Sequence, residues 1–172
     1  MTIEVDNSSQ SLAVRDLKSL LRKTIGKDVE IISEKTTSLL GKGENYNSTV
    51  LKIDVTIKRK NDSEQENLQL VAKTIPSKHD NVNSSASFIK EIFFFKKLLP
   101  TYRKWEEALT GNSKNLIDIL PKFYGGRMTL KDVPNEADDD AVLVMENLNI
   151  SGYQMLNRRK GRHKLTKQFK YV

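Results

Sequence analysis

Apolar and polar positions along the chain change period several times, and each change marks an element. In "SLAVRDLKSLLRKTIG", Leu12, Leu17, Leu20, Leu21 and Ile25 recur at helical spacing, after the cap-type residues Ser8, Ser9 and Ser11 and before Gly26. This predicts an amphipathic opening helix. "DVEIISEKTTSLL" is rich in β-branched residues and reads as a first strand. Leu51, Ile53, Val55 and Ile57 then alternate with Lys52, Asp54, Thr56 and Lys58, the period of two that a half-buried strand requires. "LQLVAKTIP" is a third strand that must stop at Pro76. In "ASFIKEIFFFKKLLPTYRKWEEAL", Phe88, Ile89, Ile92, Phe93, Phe95 and Leu99 form the apolar band of a helix packed on a sheet, with Pro100 expected to kink or end it. "LPKFYGGRMTLK" and "AVLVMENL" are two further strands around the acidic loop "DVPNEADDD". Adjacent carboxylates there lack the spaced geometry of a calcium loop, so Asp138, Asp139 and Asp140 read as a solvated turn.

The order of helix, three strands, long helix and two strands predicts an α+β fold: a five-stranded antiparallel sheet with a packed helix and an N-terminal amphipathic helix. Residues 1–27 form the helical segment, 28–156 the body, and 157–172 a tail expected to be poorly ordered.

Composition narrows the chemistry. There is no Cys, which excludes disulfides, Cys-ligated zinc and thiol catalysis. No apolar run reaches the ~20 residues that span a bilayer, and "MTIEVDNSSQ" lacks the basic start and apolar centre of a signal peptide. A cytoplasmic protein without membrane contact is the expectation. The net charge of +7 lies in the tail: seven of the 29 Lys and Arg, and no acid, fall in residues 157–172, leaving 22 basic against 22 acidic residues before it. The tail has no recognition motif and no interleaved stacking aromatics, which argues against a nucleic-acid partner.

Gly41-Lys42-Gly43 has two readings: a turn between antiparallel strands, or a flap over phosphates. A Gly-x-Gly-x-x-Gly pattern is incomplete, since Tyr46 occupies the third glycine position, and strands flank the loop on both sides. That context argues against a dinucleotide fold or a P-loop, both of which run into a helix. Lys73 is more informative. Strand alternation places its ammonium between Val71 and Ile75, where it needs an anion or an escape to solvent. Glu91, amid the apolar band of the long helix, is a candidate partner. Glu146-Asn147-Leu148, where the last strand leaves the sheet, can offer backbone groups to an adenine edge.

Taken together, "GKGENYNSTVLKI", "LVAKTIP", "FIKEIFFFKKLLP" and "LVMENLNISGYQMLNRRKG" resemble the amino-terminal lobe of the ecdysteroid-kinase-like (CHK kinase-like) family, small-molecule phosphotransferases with a protein-kinase-like fold. The resemblance implies that Gly41, Gly43, Asn45, Tyr46 and Ser48 belong to the phosphate-covering loop. It makes Lys73 the contact to the α- and β-phosphates of ATP, oriented by Glu91. It makes Met145 to Leu148, including Glu146 and Leu148, the adenine hinge, with Val71 roofing the base. Asn147 replaces the aspartate usual in the family.

The family's catalytic loop and metal-binding motif are not found, so no catalytic or metal-binding residue is assigned. The expectation is a truncated nucleotide-binding lobe, inactive alone, that binds ATP weakly or not at all. In full-length relatives, Mg²⁺ and a small lipophilic acceptor hydroxyl would complete the reaction. The alternative is a non-catalytic binding protein using the exposed cleft or the basic tail.

Overall fold

A computed structural model describes residues 13–39, 48–60, 64–75, 82–111, 120–131 and 137–153. The tail at 157–172, the cap residues Ser8, Ser9 and Ser11, and Leu12 lie outside the described residues. Five strands form one antiparallel sheet: β1 (Val29–Ser38), β2 (Thr49–Arg59), β3 (Gln65–Thr74), β4 (Phe123–Arg127) and β5 (Val142–Glu146). Their order across the sheet is β1-β2-β3-β5-β4. The mixed α+β architecture with this open antiparallel sheet is that of a kinase-like amino-terminal lobe.

Alternation divides the sheet into two faces. Leu51, Ile53, Val55 and Ile57 of β2, Leu68, Leu70 and Ala72 of β3, and Val142 and Val144 of β5 are buried together on one face. The opening helix α1 (Leu17–Ile25) lies on this face and contributes Leu17, Leu20 and Leu21. A fully buried side chain of this kind stabilises by about 1.5–3 kcal/mol, so the period-two positions, not the turns, hold the sheet to the helix. Two hydrogen bonds fix α1 in place: the Thr24 hydroxyl donates to the Tyr124 carbonyl at 2.6 Å, and Arg127 Nη2 donates to the Arg15 carbonyl.

On the opposite face, Leu143 and Ala141 pack beneath the long helix against Phe88, Ile92, Phe95 and Leu99, with Met145, Phe123 and Ile75 around them. The Phe95 and Phe123 rings stack with centroids 5.8 Å apart. This helix begins as α2 (Val82–Phe93), passes through a π turn (Phe94–Leu98) and continues as α3 (Leu99–Thr110). Of the two expected outcomes at Pro100, a kink or an end, the end does not occur: the helix continues past it with a π turn just ahead. Phe93, Leu98 and Leu99 keep right-handed helical dihedrals, and the Leu99 N–H reaches back five residues to the Phe94 carbonyl. A proline in an α-helix collides with the carbonyl four residues earlier and supplies no N–H to it. The wider turn just ahead of Pro100 relieves that conflict, and the Thr101 hydroxyl donates to the Lys97 carbonyl at 2.8 Å. The helix stops instead at Gly111, whose φ of 61° is left-handed and whose N–H donates to the Glu107 carbonyl at 3.0 Å.

The acidic turn is more engaged than a solvated loop. Asp140 pairs with Arg15 at 3.0 Å, and its carbonyl accepts from Arg127 Nε at 2.9 Å. Asp138 accepts from the Thr129 hydroxyl at 2.8 Å and from the Asp140 N–H at 2.9 Å. These bonds close the connection between β4 and β5 and tether the chain ahead of α1. Among the described residues, no helix is long and apolar enough to cross a membrane.

Candidate functional site

Lys73 sits on β3 opposite Val50 of β2 and Leu143 of β5. Because Leu68, Leu70 and Ala72 point to the α1 face, Val71, Lys73 and Ile75 must point to the other, as the alternation requires. Among the described residues, the long helix packs there on Leu143, Met145, Phe123 and Ile75. Lys73 stands at the border of the part it covers. From α2, one turn on from the buried Phe88 and next to the buried Ile92, Glu91 reaches it: Lys73 Nζ lies 2.5 Å from Glu91 Oε2, and each side chain keeps 29% of its exposure. The pair is thus neither solvated nor sealed. The carboxylate compensates the ammonium and fixes its direction, while the remaining exposure leaves donors for an incoming anion.

Cross-strand neighbours flank Lys73 and Val71 on this face. Val50 lies across from Lys73, Lys52 across from Val71, and Met145 of β5 across from Val71 on its other side. Val50, Val71 and Met145 are all half-buried. Val50 did not enter the sequence assignment. The signal for it was present, since a strand that buries Leu51, Ile53 and Val55 on one face must present Val50 on the other. Lys52 is drawn to Asp54 at 2.9 Å.

The β1–β2 connection leaves the sheet at the Lys73 end. Ser38 pairs with Leu51, and the Leu39 N–H donates to the Val50 carbonyl at 3.0 Å, so the loop springs from the pair beside Lys73. Gly41, Gly43, Asn45 and Tyr46 lie outside the described residues. Ser48 is half-buried at the entry to β2.

At the far end of β5 the chain leaves the sheet through Glu146, Asn147 and Leu148 into a 3₁₀ turn (Leu148–Ser151). Glu146 is anchored at both backbone and side chain: its N–H donates to the Lys122 carbonyl at 2.9 Å, and its Oε2 accepts from the Lys122 N–H at 3.1 Å. The Asn147 N–H donates to the Gln69 carbonyl at 3.3 Å, and the Leu148 carbonyl accepts from the Tyr153 N–H at 3.2 Å. Asn147 is the buried polar residue of this segment. Its Oδ1 accepts from the Asn149 N–H at 3.2 Å and so caps the turn. An amide oxygen performs this task as well as a carboxylate oxygen, and a neutral side chain costs less to bury. The replacement of aspartate at this position therefore has a local structural account.

Residues 42–167, 126 of the 172, match the model of the ecdysteroid kinase-like family. Comparison with curated proteins and with solved structures gave no match.

Proposed function

The chain belongs to the ecdysteroid kinase-like family, and from that membership we propose that the described residues form the nucleotide-holding side of an ATP-dependent small-molecule phosphotransferase. The observation that carries the reading is the ion pair between Lys73 and Glu91 at the border of the part of the sheet face that the long helix covers. Lys73 binds the α- and β-phosphates as a compact cation, and Glu91 keeps it turned toward them. The β1–β2 loop, with Gly41, Gly43, Asn45, Tyr46 and Ser48, covers the phosphates from above. Val71 and Val50 supply the apolar surface over the base, and the Glu146 carbonyl and Leu148 N–H meet the adenine edge.

In full-length relatives the γ-phosphate passes to a hydroxyl of a small lipophilic acceptor, a steroid by the family's name, with Mg²⁺ held by carboxylates assigned to no residue of this chain. The role proposed for the described residues is nucleotide holding, in the cytoplasm, where ATP is supplied. The affinity proposed for ATP is weak. The test is an amide NMR titration with ATP into the range of about 1 mM and above, where weak sites saturate. Shifts are expected at Val50, Val71, Lys73, Met145 and Leu148, and in Lys73→Ala those attributable to the phosphates disappear. An unchanged spectrum in the parent chain, or shifts confined to other surfaces, overturns the proposal.

A further inference from the structure

We propose that Lys52 and Asp54 bind the ribose hydroxyls of the nucleotide. This rests on reading Lys73 as the phosphate-binding lysine and Glu146 to Leu148 as the adenine hinge. Lys52 and Asp54 share the sheet face of Lys73, because Leu51, Ile53 and Val55 of the same strand are buried on the other. The antiparallel register sorts this face into rows across β2 and β3. Val50 and Lys73 stand opposite each other in the first row, Lys52 and Val71 in the second, and Asp54 and Gln69 in the third. Successive rows are about 7 Å apart along the strands. Met145 of β5 continues the second row, and the Asn147 N–H, donating to the Gln69 carbonyl, ties the hinge to the third.

These rows orient a nucleotide. Its phosphates meet Lys73 in the first row, and its base lies at Val71 with the hydrogen-bonding edge toward the hinge on the β5 side. N9, on the opposite side of the purine, then turns toward β2, one strand spacing of about 4.8 Å away. The ribose comes to rest at Lys52. Its 5′ carbon points to the first row, where the phosphates are, so the 2′ and 3′ hydroxyls point to the third, where Asp54 stands. The two side chains suit that task. Lys52 Nζ lies 2.9 Å from Asp54 Oδ2, and the side chains keep 34% and 37% of their exposure. Asp54 thereby draws the ammonium away from the phosphate row and leaves it N–H donors for a hydroxyl oxygen. Asp54 Oδ1 is closed to water and has no hydrogen-bond partner among the described residues. An acceptor in that state is costly, and rotation about the Cβ–Cγ bond, a soft torsion, presents it to a donor entering beside Lys52. Two vicinal hydroxyls, each both donor and acceptor, match a carboxylate beside an ammonium.

The test is a set of amide NMR titrations of the whole chain with ATP, 2′-deoxyATP and 3′-deoxyATP, followed at Lys73 and Leu148. The parent chain is expected to bind ATP about fivefold more tightly than either deoxynucleotide, the worth of roughly one net hydrogen bond. In Asp54→Ala, and in Lys52→Met, which keeps the aliphatic stem, that preference falls to within about twofold. Equal affinities of the parent for the three nucleotides overturn the inference, as does a preference undiminished in both folded variants. The comparison within the parent needs no substitution, so it decides the matter even where a variant unfolds. A parent chain that binds none of the three contradicts the proposed function and this contact with it. ATP binding without ribose preference leaves that function standing and removes the ribose contact alone.

Discussion

Gly125 of β4 and Leu20 of α1 approach so closely that a Cβ at position 125 would stand 2.8 Å from Leu20 Cγ and 3.2 Å from the Leu20 carbonyl oxygen. The side chain has some freedom to move, but the backbone oxygen belongs to a helix seated on the sheet. Gly125→Ala should therefore lift α1 from β4 and destabilise the chain by about 1–3 kcal/mol, the range for overpacking. Urea unfolding measures this. In a cycle with Leu20→Ala, the two penalties should sum to more than the double mutant loses, because the smaller side chain yields part of the space. Strict additivity would mean that the approach is not limiting.

Asn147 is a cap with one bond to make. Asn147→Ala removes the acceptor for the Asn149 N–H and should cost about 1 kcal/mol, typical of a lost cap. Hydrogen exchange should quicken locally in the 3₁₀ turn (Leu148–Ser151), while amides in β2 and β3 remain protected. Equal loss of protection throughout the sheet would contradict a local role.

The two faces of the sheet were legible in the sequence because their signal is short-range. A strand alternating Leu51, Ile53, Val55 and Ile57 with polar residues has one way to face a core, and the side on which Lys73 lies follows from the same parity. The meeting of Lys73 with Glu91 was expected from the pattern, which left an ammonium among apolar neighbours with a carboxylate in the next helix, and from the resemblance, and the structure brings the two together. What the pattern did not disclose depends on geometry between distant segments. The path of the helix past Pro100 is one case: a proline reads as a stop unless the preceding turn can widen, and no residue type announces that. The ties from Arg15 to Asp140 and from Arg127 to Arg15 are another, because they join residues more than a hundred positions apart. Glu146 was assigned for its backbone, and the capture of the Lys122 amide by its side chain had no counterpart in the local sequence.

Asp138 gives the fold an acid sensitivity. Burial alone would raise its carboxyl, but the Thr129 hydroxyl, the Asp140 N–H and the Lys131 ammonium outweigh burial and hold it below the ordinary value of 3.8. A carboxyl lowered in the folded state contributes stability that is fully present above its unfolded value and is lost as pH falls through the folded one. Stability of the parent chain should therefore decline below about pH 4. In Asp138→Asn the decline over that window should be shallower, and the neutral-pH stability lower. Unfolding midpoints between pH 2.5 and 7 check both. Identical pH profiles would show that the bonds to Asp138 do not bias its ionisation.

The central claim is that Lys73, held by Glu91, meets phosphate, and the most direct measurement compares two ligands on two proteins. Dissociation constants for ATP and for adenosine are determined on the parent chain and on Lys73→Ala. ATP binding should weaken at least tenfold in the variant, about 1.4 kcal/mol, while adenosine, which has no phosphate, should bind both proteins alike. Equal ATP affinity for the two proteins, or parallel losses for ATP and adenosine, would contradict the account.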